Sequence, residues 1–232
     1  MASAHPYARR QSQISRPNAA GPLLLAGLCL IALALVWAVA ELVPAAQFKD
    51  AIVLRDFTLL SRPHVDAVAN GLLAVLDPAP FIGLGVLLVA VASMRRRWRV
   101  GVAVAFVMAL APLSAELLKP LLAHGHVHLA GVHISAGSWP SGHATAAAAL
   151  ALSAVLVAPA RMRPLVAALG SAFAVAVGCC LLILAWHMPS DVLGGYLVAA
   201  LWMALAVAGL RAFSPRSGRG PRNLGREALV RG

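Results

Sequence analysis

The chain has 232 residues, of which 61% are hydrophobic and 12% charged, with a mean hydropathy of +0.84. A soluble domain carries about a quarter charged residues, so this chain has too little charge to clothe a water-facing globule, and disorder is excluded on the same ground. The net charge is +11, and the three cysteines, Cys29, Cys179 and Cys180, all lie inside apolar runs, which excludes a disulfide framework.

Six stretches carry no charged residue: 22–40, 78–94, 100–115, 144–160, 164–186 and 192–210. With their flanks, each approaches the ~20 residues that cross a bilayer core as helix. Alternation of period two is absent, which argues against a β-barrel. The fold expected is all-α: a polytopic membrane protein with six transmembrane helices.

The charges orient it. Arg and Lys divide 15 to 4 between the two sets of connections, and both tails fall in the basic set. An excess of basic residues marks the cytoplasmic side, so both termini are expected there. The segments expected are a basic N-terminal tail at 1–21, a membrane domain at 22–212 and a basic, disordered tail at 213–232. The tails lack interleaved aromatics, so the basic excess needs no nucleic-acid partner. The first run, with Ala38-Val39-Ala40 near its end, resembles a signal peptide, but its length favours an uncleaved anchor.

The outer connection 43–77 is predicted to hold an interfacial helix with an apolar face of Phe48, Ile52, Phe57 and Leu60. Asp77-Pro78 predicts a break before the second run. Lys119 ends the third run, with Glu116 one turn earlier as its ion-pair partner.

Next comes Trp139-Pro140-Ser141-Gly142-His143. Ser141 suits an N-cap, and Gly142 lets a ligand approach the backbone. The exposed N–H groups and helix dipole favour an anion there. Further on, His187-Met188-Pro189-Ser190-Asp191 opens the sixth run. With Pro189 as the first helical residue, Asp191 can reach back to the imidazole of His187 and fix its tautomer.

These segments resemble the type-2 phosphatidic acid phosphatase family. Its Pro-Ser-Gly-His motif is complete at Pro140–His143. The His-x-x-x-Asp half of its third motif is complete at His187 and Asp191. The first motif keeps Lys119. Its arginine position is held by His126, and the Ser-Arg of the third motif is replaced by Cys180-Leu181. The resemblance implies a metal-independent lipid phosphatase with no cofactor. His187 would attack phosphorus, Asp191 would orient it, and His143 would protonate the leaving oxygen. Lys119, Ser141 and Gly142 would hold the phosphate. His126, when protonated, would stand in for the absent arginine; with an ordinary pKa of about 6.5, it would strengthen phosphate binding at mildly acidic pH.

The implied partners are a lipid phosphate or diphosphate and the surrounding lipid, at the outer face of the inner (plasma) membrane. Two alternatives stand beside this reading. Loss of two guanidiniums, which clamp phosphate with paired bonds, fits a weak or inactive relative. The histidines at 124, 126, 128 and 133 fit a metal-binding membrane protein.

Overall fold

The computed structural model describes residues 18–123, 134 and 137–213. Most of both basic tails, His126 and the other loop histidines lie outside the described residues. The described chain is helical throughout. The helices are α1 (Ala20–Leu42), α2 (Pro44–Thr58), α3 (Pro63–Leu73), α4 (Pro78–Met94), α5 (Trp98–Leu122), α6 (Gly142–Val157), α7 (Arg163–Ile183) and α8 (Pro189–Ala212).

Each of the six charge-free runs falls largely on one helix. Four of these, α1, α5, α7 and α8, are long and apolar enough to cross a membrane. A fifth candidate span joins Pro63–Leu76 to α4 across a 53° bend. The bend falls at Asp77-Pro78, where proline's missing N–H and its ring end the preceding helix. The fourth run forms α6, whose 16 residues make a rod of about 24 Å, shorter than a bilayer core. The protein is therefore multi-pass, with four or five spans by length and composition.

Helix α6 is the centre of the bundle. It packs against α4, α5, α7 and α8. Its buried positions are almost all small: Ala144, Thr145, Ala146, Ala147, Ala148, Ala149 and Ser153. Small residues let helix backbones approach closely, the main source of packing energy where lipid is as apolar as the side chains. Large side chains point outward instead, as Leu24 (66% exposed) and Ile31 (59%) do on α1.

The opposite end of α6 is closed by arginine. Arg97 donates to the Val157 and Leu156 carbonyls at 3.1 and 3.3 Å, and Arg95 donates to Val157 at 3.3 Å. These carbonyls have no intrahelical partner, and the positive charge suits the negative end of the helix dipole.

The 43–77 connection differs in part from expectation. It forms two helices, α2 and α3. On α2 the buried residues are Ala51 and Leu54, whereas Phe48, Ile52 and, just beyond the helix, Leu60 face outward. Phe57 is half-buried against the core, so the predicted stripe is divided between the two sides.

Candidate active site

Two helix starts meet at one end of the bundle. Ser141 is extended and caps α6, its Oγ accepting from the Ala144 N–H at 3.3 Å. Its carbonyl accepts from the Thr145 N–H at 3.0 Å and from Thr145 Oγ1 at 2.8 Å. Its own N–H donates to the Asp191 carbonyl at 2.9 Å. A main-chain bond therefore ties the Pro-Ser-Gly-His segment directly to the first turn of α8. Close approach of the two elements requires a glycine: a Cβ on Gly195 would stand 2.6 Å from the Ser141 oxygen. The Ser141 hydroxyl is fully buried, so its first task is the cap, and its proton is left to donate.

Pro189 is the first residue of α8, as its preset φ favours. Asp191, fully buried in the first turn, accepts from the Met188 N–H at 2.9 Å through Oδ2. The same oxygen lies 3.3 Å from His187 Nδ1. A carboxylate at Nδ1 holds the proton on that nitrogen and leaves Nε2 with its lone pair, the form a nucleophile needs. Asp191 Oδ1 is buried with no hydrogen-bond partner among the described residues. An unpaired buried carboxylate oxygen is costly, so the group is held in place by the fold rather than by its own preference.

His143, in the first turn of α6, sits edge-on to the Trp186 indole with ring centroids 5.7 Å apart. Trp186 immediately precedes His187, and His187, Asp77, Lys119 and Glu116 all lie within electrostatic range of the His143 ring. Lys119 Nζ is 2.6 Å from Glu116 Oε1. The same Glu116 oxygen lies 2.6 Å, and the lysine nitrogen 3.8 Å, from where a Cβ on Gly142 would be. The structure thus gathers Lys119, Ser141, Gly142, His143, His187 and Asp191 at one end of the bundle.

Three contributors were missed in the sequence. Glu116 was read only as a partner for Lys119, although its i, i+3 spacing already put both on the face that meets α6. Asp77 was read only as a helix breaker. Asp50, from α2, accepts from the Ser190 N–H at 3.2 Å and from Ser190 Oγ at 2.5 Å, pinning the start of α8. No local spacing signals a contact across 140 residues.

Leu181, at the family's arginine position, is fully buried in the apolar core, and Cys180 packs against it. Neither supplies a phosphate donor. Among the described residues no cluster of three or more His, Cys, Asp or Glu side chains could hold a metal ion; the histidine-rich loop lies outside them.

The site is thus built from two adjoining helix starts in a helical bundle, each with a histidine, one of them backed by a buried carboxylate. The chain belongs to the PAP2 superfamily, whose pattern matches residues 96–214, about half of its length. Membership supports a phosphoric ester hydrolase of the lipid phosphatase type. Its fold is similar to the crystal structure of the first transmembrane PAP2-type phosphatidylglycerolphosphate phosphatase from Bacillus subtilis. The TM-score is 0.69 at 24% identity, covering 84% of this chain and 98% of that one. At that identity the likeness shows the fold alone. No curated protein matches the chain.

Proposed function

We propose that the protein hydrolyses a lipid phosphate or diphosphate through a phosphohistidine intermediate, without a metal. The observation that carries this reading is the Ser141 N–H to Asp191 carbonyl bond, which sets the His143 turn beside the His187–Asp191 turn. His187 Nε2 would attack phosphorus as the bond to the leaving oxygen breaks, and His143 would give that oxygen its proton. In the second step His143 would take a proton from water. The water oxygen would then bond to phosphorus, and the P–N bond would break to release phosphate and restore His187. Lys119, the Ser141 hydroxyl, the Gly142 N–H at the head of α6 and a protonated His126 would hold the phosphate oxygens.

Six spans follow if the bent α3–α4 pair counts as one and short α6 as another. Both termini then lie in the cytoplasm by the 15-to-4 division of Arg and Lys. The site faces the outer side of the plasma membrane, where a lipid can present its headgroup while its chain stays in the bilayer. The membrane domain spans 22–212, with basic tails on either side.

Phosphate release from a panel of lipid phosphates in detergent with a chelator present is the test, run beside His187→Ala. Equal release by both proteins would overturn the proposal. A second reading, a weak relative, rests on the buried Leu181 where the family's arginine belongs. Wild-type release no faster than the buffer blank across the panel would favour it.

A further inference from the structure

Beside α8, on the flank where it meets α1 and α2, lies a cavity of about 520 Å³. Its walls are apolar, with Leu35 and Val39 from α1, Val53 from α2 and Leu193 from α8 among them. Its polar rim is Lys49, Asp50 and Ser190. Asp50 is committed to the head of α8 through the Ser190 N–H and hydroxyl. Lys49 is exposed and forms no ion pair among the described residues. The positive end of the α8 dipole offsets the Asp50 charge, so the rim offers one uncommitted cation, Lys49, above an apolar recess.

The recess lies outside the candidate active site. Asp191 turns inward toward Ser141, whereas Ser190, one residue earlier, turns outward toward Asp50. The two sites share the first turn of α8 and face different ways. Lys49 sits near the head of α2, beside the C-terminal half of α1 and the N-terminus of α8, at the same end of the bundle as the candidate site.

We propose that this recess is an accessory binding site for an anionic glycerophospholipid of the surrounding leaflet. The acyl chain would fill the apolar recess and the phosphodiester would lie on Lys49. Charge complementarity selects this occupant. A zwitterionic lipid brings its own cation to the rim, and a neutral hydrocarbon leaves the ammonium without a counter-ion at an apolar boundary. The neighbouring Asp50–Ser190 contact gives the lipid a consequence. Lipid bound against α2 braces the helix that pins the start of α8, and hence the turn carrying His187 and Asp191. The site does not depend on the proposed catalytic reaction, because a phosphodiester need not be turned over to be held.

Native mass spectrometry of the full-length protein, purified in mild detergent with equal amounts of phosphatidylglycerol and phosphatidylcholine, tests the site. One lysine at a lipid surface favours an anionic headgroup by about fivefold, so wild type is expected to retain one phosphatidylglycerol with about that preference. Lys49→Ala should abolish the preference and Lys49→Arg should keep it. Val53→Trp, which fills the recess, should lower retention of both lipids. His187→Ala should retain phosphatidylglycerol as wild type does, which separates this site from the catalytic one. Equal retention of the two lipids by wild type, an unchanged preference in Lys49→Ala, or loss of the lipid in His187→Ala would each overturn the proposal. Circular dichroism and size exclusion confirm that each variant is folded.

Discussion

The carboxylate of Glu116 lies against the α-carbon of Gly142. Its Oε1 stands 2.6 Å from where a Cβ would be, while holding Lys119 at 2.6 Å. An acidic side chain of α5 thus lies at the head of α6, where the proposed phosphate would sit, and pairs with the lysine proposed to bind it. In the proposed reaction substrate would displace it. Glu116→Gln should therefore tighten binding of inorganic phosphate or vanadate several-fold, since removing an anion from an anion site is worth about 1 kcal/mol. Competitive inhibition constants measured for both proteins check this; an unchanged or weaker constant contradicts it.

Replacing the carboxylate behind His187 should separate stability from chemistry. Asp191→Ala leaves the Met188 N–H without its acceptor in a fully buried position, a cost of about 1–3 kcal/mol, and frees the imidazole to rotate. Thermal unfolding should show the first effect. Radiolabel from a phosphate monoester with a good leaving group should show the second: an acid-labile adduct accumulates in His143→Ala, where water is no longer activated, and is absent from His187→Ala. An adduct that persists in His187→Ala assigns the nucleophile elsewhere.

Restoring the family's arginine at the third motif should fail. Leu181 is fully buried among apolar side chains, and an unpaired guanidinium there costs several kcal/mol. Leu181→Arg is expected to unfold at lower temperature and to release phosphate no faster than wild type. A gain in kcat/KM with normal stability would show that α7 can turn this position toward the site.

The proposed role of His126 predicts a pH signature. An imidazole of ordinary pKa is cationic below about 6.5 and neutral above, so phosphate affinity should weaken as pH rises from about 5 to 8. The His126→Ala profile should be flatter. Equal profiles remove His126 from the phosphate site.

At the far end of the bundle, Arg97→Ala should change stability alone. It removes two donors from the last carbonyls of α6, a loss of about 1 kcal/mol. Thermal unfolding should record the change with kcat and KM unaltered; a fall in kcat would mean that this end of α6 is coupled to the reaction.

What the sequence revealed and what it hid follow from the range of each signal. The Ser141 cap, the Pro189 start, the reach of Asp191 to His187 and the break at Asp77-Pro78 are all local. Each is decided within five residues by φ, by a missing N–H or by helical spacing, and each is found where expected. The face of α2 that turns inward, Ala51 and Leu54, had no signal of its own, because lipid outside removes the contrast that normally makes one apolar stripe point to a core. Asp50 at Ser190, Glu116 at Gly142 and Ser141 at Asp191 join distant parts of the chain, where spacing carries no information. The six charge-free runs predicted six spans, yet α6 is short for a bilayer, because a run without charge measures composition rather than the length of the rod it makes.

The bond from the Ser141 nitrogen to the Asp191 oxygen joins peptide groups, not side chains. It survives any substitution at either position, proline at 141 excepted, that leaves the backbone where it is. The alignment of the two reacting turns is thereby insulated from drift in the residues around them. A pocket built this way can exchange guanidinium for imidazole, or lose a clamp altogether, and still present its paired rings in register.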